Sequence, residues 1–159
     1  MKIWLRRLLG AITIGGGGAG VASVLPSFMN AGHFFDWLFC IGFLLLYAWG
    51  VWCGIQLIEN HAKAARSNFR FWLVQVPLFS SPLLGYFFAS GAFFTVWIGL
   101  DTWDYSFNFV LGSSFQYSFL NSYFPPFVGV NILALLLSGW FYRKAYGSES
   151  ESTPNDFAN

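Results

Sequence analysis

Charge is what this sequence has least of. Only 15 of its 159 residues are Lys, Arg, Asp or Glu, or 9%, against about 25% in a soluble domain. Hydrophobic residues make up 56%, and Phe alone occurs 20 times. So few charges cannot cover a water-exposed surface of this size, which excludes an ordinary soluble enzyme, a nucleic-acid binder and a wholly disordered chain. The length allows one domain.

Cysteine and histidine are nearly absent. Cys40 and Cys53 share one apolar run, thirteen residues apart, or ~20 Å along a helix, too far to bond. No redox pair follows, and both read as small packing residues. His33 and His61 flank opposite ends of the same run, which excludes a shared haem or a zinc site, since zinc needs three or four ligands. No nucleotide-binding glycine loop and no serine elbow occurs. No ionisable residue lies in the core of an apolar run, which removes the usual proton-coupled mechanisms. Asp36, Asp101 and Asp104 remain as outer carboxylates. Asp36 reads as a helix N-cap. No catalytic, cofactor or metal residue is assigned, and the expected function is not enzymatic.

What is present is uncharged length. Leu8–Gly32, Trp37–Ile58, Phe71–Leu100 and Tyr123–Tyr142 carry no charge. Twenty-two helical residues cover ~33 Å, enough for ~30 Å of hydrocarbon. These runs predict an all-α integral membrane protein, a bundle of four transmembrane helices at about residues 8–28, 37–58, 71–100 and 123–142. They form one domain over 1–144, followed by a disordered cytoplasmic tail, 145–159. The alternative for the first run is a cleaved signal peptide ending near Gly20-Val21-Ala22. Apolar residues continuing to Leu25 argue against it.

The eight basic residues give orientation. Lys2, Arg6 and Arg7 precede the first run, Lys63, Arg66 and Arg70 follow the second, and Arg143 and Lys144 follow the fourth. Neither of the other connections holds any. Basic residues stay on the cytoplasmic side of short loops, so both termini are expected inside, in a bacterial-type inner membrane. Trp4, Trp72 and Trp140 then read as inner interfacial anchors, and Trp37, Trp97 and Trp103 as outer ones.

Small residues recur every fourth position at Ala11, Gly15 and Ala19, with a second pair at Gly16 and Gly20. Gly50 and Gly54 lie on the second run, and Gly85 on the third. Such positions let helix backbones approach closely in lipid. Asn131 is expected to point into the bundle, as are Gln56 and Gln75, which could bond to each other. Interhelical hydrogen bonds in membranes average only ~0.6 kcal/mol, so Asn131→Leu is expected to cost little stability if the residue is structural. Pro77 and Pro82 are expected to kink the third span or open a cavity in it.

The segment Asp101 to Ser122 fits two templates. Tyr105, Phe107, Phe109 and Leu111 alternate with Ser106, Asn108 and Val110, and Phe115, Tyr117 and Phe119 alternate with Gln116 and Ser118 around Gly112-Ser113-Ser114. That period of two reads as a β-hairpin. Phe107, Leu111, Phe115 and Phe119 are also each four apart, as on a helix. Either form gives an aromatic face with a polar reverse.

The functional expectation is a non-catalytic assembly, accessory-subunit, exclusion or immunity protein. Its partners would be the lipid bilayer and either copies of itself or another membrane protein. No nucleic acid and no cofactor is expected. The alternative is a small carrier or channel for an uncharged or lipid-like solute.

Overall fold

The computed structural model describes residues 2–101, 103–119 and 125–147. Two long helices come first, α1 (Ile3–Met29) and α2 (Phe34–Ile58). Both are long and apolar enough to cross a membrane. They run antiparallel and meet along glycines. A Cβ on Gly10 would strike Ile58, one on Gly17 would strike Val51, and one on Gly20 would strike the Tyr47 ring. Gly54 opposes Gly10 and Ile14 in return. Close backbone approach is the main source of attraction between helices in lipid. At the start of α2 the N-cap is His33, not Asp36. Asp36 is the third helical residue, and its Oδ2 accepts from the His33 N–H at 3.1 Å, the returning half of a capping box.

The last turn of α2 closes in a Schellman motif. The N–H of Asn60 donates to the carbonyl of Leu57 and that of His61 to Gln56, with Asn60 left-handed at φ 59°. The chain then enters α3 (Ala64–Val74), whose buried residues Ala64, Asn68, Phe71 and Trp72 lie on one face. Asn68 donates to the carbonyls of Cys53 and Ala64, both at 2.9 Å, and so ties α3 to α2.

From here the expected four-helix bundle is not what forms. The uncharged run 71–100 leaves the helix at Val74 and becomes β1 (Pro77–Ser80), β2 (Leu84–Ala89) and β3 (Ala92–Gly99). Next come β4 (Tyr105–Leu111), β5 (Ser114–Phe119) and β6 (Phe127–Asn131), and only then α4 (Ile132–Tyr146). An apolar run does not by itself distinguish a helix from a buried strand. Punctuation and composition do: Pro77, Pro82 and Gly91 break the run into pieces of strand length, and those pieces are rich in Phe, Tyr, Trp, Val and Thr. Pro77 therefore opens a strand and Pro82 lies in the turn after it. Neither kinks a helix. The expected fourth span, 123–142, is β6 followed by the 15-residue α4. The tail from Ser148 lies outside the described residues.

The six strands form one antiparallel sheet in the order β4-β3-β6-β1-β2-β5. The 101–122 segment does contain two strands, but they do not pair as a hairpin. β4 pairs with β3, β5 pairs with β2, and the two occupy opposite edges of the sheet. Only Gly112 and Ser113 separate them in sequence, so the sheet must curl until its edges meet. Ser90 and Gly91 impose the same on β2 and β3, which have β1 and β6 between them. Both short connections gather at one end, the tip. There the Gly112 N–H donates to the Gly91 carbonyl, the Gly91 N–H to Ser113 Oγ, and Ser113 Oγ–H to the Gly16 carbonyl of α1 at 2.6 Å. Gly91 has φ +88°, and a Cβ there would meet Ile12. Only glycine satisfies both constraints.

Candidate functional site: the concave face of the curled sheet

Side chains alternate across a strand, and cross-strand partners share a face. The register therefore sorts the sheet into two surfaces. The convex one carries Phe94, Val96 and Ile98 of β3, Tyr105, Phe107, Phe109 and Leu111 of β4, Phe115, Tyr117 and Phe119 of β5, and Val128 and Val130 of β6. With Tyr86 of β2 it holds three tyrosines and is otherwise apolar. The concave one carries Ser80, Gly85, Thr95, Ser106, Asn108, Ser114, Gln116, Ser118, Gly129 and Asn131 among its residues. A soluble sheet buries its apolar face. This sheet turns its polar face inward.

The concave face encloses a cavity of about 260 Å³. Thr95, Asn108, Ser114 and Gln116 supply its hydrogen-bonding groups, and Leu78, Phe87, Phe93, Trp97 and Phe127 its apolar wall. Phe87 and Phe93 meet edge to face at 5.4 Å across the curl. Buried hydroxyls of Ser80 and Ser118 have no protein partner, nor does the amide nitrogen of Asn131. Buried polar atoms are nearly always paired; these three lie on the concave face but outside the lining of the cavity itself. Among the described residues, no ionisable side chain lines this cavity. Its chemistry is recognition of neutral donors and acceptors beside aromatic rings.

The tip end is sealed. Asn131 is fully buried, and its Oδ1 accepts from the N–H groups of Phe94 (3.3 Å) and Ala134 (3.2 Å), so it caps α4 and fixes β3 together. Gln75 receives the Ser90 N–H at 2.7 Å and donates to Phe71. It does not reach Gln56, whose Oε1 is buried without a partner. At the opposite end β1 connects to β2 and β3 to β4.

On its convex side the sheet is held by α2 through paired rings. Phe35 meets Phe119 at 4.7 Å, Phe39 stacks on Tyr117 at 5.0 Å, Phe43 meets Phe115 at 5.0 Å and Tyr47 meets Phe88 at 4.9 Å. Four helical residues rise ~6 Å and two strand residues ~6.6 Å. A helix with a ring at every fourth position therefore stays in register with a strand carrying one at every second. Tyr117 Oη also donates to Asp36 Oδ1 at 3.4 Å, and Tyr47 Oη to the Ala89 carbonyl.

The residues expected to make helix contacts divide. Gly16 packs on Gly91, Gly20 on Tyr47, Gly50 on Phe71 and Gly54 on Ile14, all inside the molecule. Gly85 lies in β2 beside Ser118, not on a helix. Ala11, Gly15 and Ala19 are exposed, with nothing within 4 Å of a Cβ at Gly15. Trp72 is fully buried and Trp97 lines the cavity, so neither is an interfacial anchor. The polar lining was half visible in sequence: the alternation at Ser106, Asn108, Gln116 and Ser118 gave a polar reverse, but not that it closes on itself. Thr95 and Ser80 lay inside a run that reads as a span. Among the described residues, no group of three or more His, Cys, Asp or Glu is placed to hold a metal. No family model matches this chain, and neither does any curated protein or solved structure.

Proposed function

We propose that this protein is a membrane-embedded binding protein for an uncharged polar or lipid-like solute, with the curled sheet as its cup. The carrying observation is the uneven sheet, apolar on its convex face and with polar groups beside aromatic rings on its concave one. An apolar convex face is stable against hydrocarbon and costly against water. With α1 and α2 taken as a membrane-crossing hairpin, the tip lies beside Gly16, midway along α1, and the β5 rings follow α2 from Tyr47 out to Phe35. The cup then occupies the outer half of the bilayer and opens outward. Arg6, the α2–α3 turn and Lys144 share the opposite end, in keeping with basic residues inside. Because the tip is sealed, this geometry favours holding a solute over conducting one.

The test is native mass spectrometry of the protein extracted with its own lipids. A neutral adduct is expected. Asn108→Leu with Gln116→Leu should reduce its occupancy about 5- to 100-fold, since two lost hydrogen bonds are worth roughly 1–3 kcal/mol. An adduct indifferent to both changes contradicts the reading.

A second reading, self-association, is favoured by the open α1 face at Ala11, Gly15 and Ala19. Gly15→Leu touches nothing within the molecule. On this reading it converts a multimer into a monomer in native gels, while an unchanged migration sinks it.

A further inference from the structure

A second cavity lies at the other end of the molecule, and nothing in the cup reading uses it. Its volume is about 310 Å³, room for roughly ten waters at ~30 Å³ each. Four parts of the chain build it: Arg6 of α1, Leu57 with the Asn60-His61 turn of α2, Ala64 and Ala65 opening α3, and Phe141 with Lys144 of α4. Leu57 and Phe141 are buried and form an apolar floor. The rest of the chemistry is of one sign. Arg6 and Lys144 contribute two cations, and His61 a ring nitrogen. Among the described residues, no carboxylate lines the cavity. Glu59 is close in sequence but is not part of the lining.

Two observations separate this from an ordinary solvated basic face. First, Arg6 Nε is buried and has no hydrogen-bond partner. A guanidinium donor out of reach of water is costly unless an acceptor meets it. Second, the His61 backbone is locked by the Schellman turn, and its Nδ1 accepts a long 3.5 Å bond from the Lys63 N–H. That bond holds the His61 ring at the cavity rim. Among the described residues, the cavity thus gathers a guanidinium, an ammonium and an imidazole around an apolar floor, with no acidic side chain.

We infer that this cavity binds an anionic phosphate group. Guanidinium and ammonium groups together are the usual partners of phosphate oxygens. The source is a phospholipid headgroup or free phosphate. The position at the basic ends of α1 and α4 suits a headgroup of the inner leaflet, where basic pockets between helices bind anionic lipid.

The full chain would be reconstituted in nanodiscs of phosphatidylcholine with phosphatidylglycerol, and the lipid retained on release would be weighed by native mass spectrometry. A parallel arm would follow the melting temperature in detergent with millimolar inorganic phosphate. Arg6→Gln and the milder, exposed Lys144→Gln serve as site variants. Lys2→Gln with Arg7→Gln removes two charges from the same end outside the cavity. Retention of phosphatidylglycerol over phosphatidylcholine by about tenfold, lost in both site variants and kept in the control, supports the site with lipid as its source. Equal retention of both lipids, with a phosphate-induced melting rise that both site variants abolish, supports it with free phosphate as the source. The proposal is overturned by neither preference nor melting rise. It is overturned equally by a control variant as damaging as the site variants.

Discussion

Asn131 shows how much one side chain can decide in this chain. Read as a bundle amide, it promised little stability, because hydrogen bonds between membrane helices are weak on average. In the fold it is the hinge between sheet and helix: one carbonyl oxygen serves the N–H of Phe94 and that of Ala134. Asn131→Leu strands both donors in a buried place. Each unpaired buried group costs about 1–3 kcal/mol and a lost N-cap about 1, so a loss of roughly 2–5 kcal/mol is expected. Gln56→Leu removes an amide whose oxygen already lacks a partner and should cost far less. Thermal or denaturant unfolding in detergent compares the two. Equal and small effects would return Asn131 to its sequence reading. That its side chain points inward was legible. That it caps a helix was not, because Pro125 and Pro126 mark where the strand begins but no charge or proline between Phe127 and Asn131 marks where it ends.

At the scale of elements, α1 and α2 were legible and the second half of the chain was not. Absence of charge locates apolar segments whatever their backbone, and for α1 and α2 the runs are unbroken by proline until Pro26. In 71–100 the same criterion passes over Pro77, Pro82 and Gly91, which cut strands and not kinks. Of the two templates for 101–122, the period of two is the true one for β4 and β5, though they do not pair as a hairpin, and the helical one fails. A fourfold spacing of rings occurs instead on α2, at Phe35, Phe39, Phe43 and Tyr47, facing β5 and Phe88 of β2. The ring pairs join the two. A double-mutant cycle of Phe39→Leu and Tyr117→Leu should give a coupling of about 0.5–1.5 kcal/mol. The same cycle between Phe39 and Phe107, on the opposite edge of the sheet, should give none. Coupling absent from the first pair would mean that α2 and β5 do not pack in this register.

For the whole molecule, the sparse charge means something different from what four helical spans would require. Among the described residues, two helices are long and apolar enough to cross a membrane. Much of the remaining hydrophobicity goes into strands, with aromatic and aliphatic side chains on the convex face of the sheet. The arrangement rests on alternate residues of β4 and β5 facing opposite ways. Cysteine labelling from the outer side of intact membranes tests it most directly. Single substitutions Phe107→Cys, Asn108→Cys, Phe109→Cys and Gln116→Cys would be exposed to a membrane-impermeant maleimide, with the buried Cys40 and Cys53 as an unlabelled background. The account predicts labelling at 108 and 116 and protection at 107 and 109. Labelling at 107 and 109 with protection at 108 and 116, or no alternation at all, would contradict it.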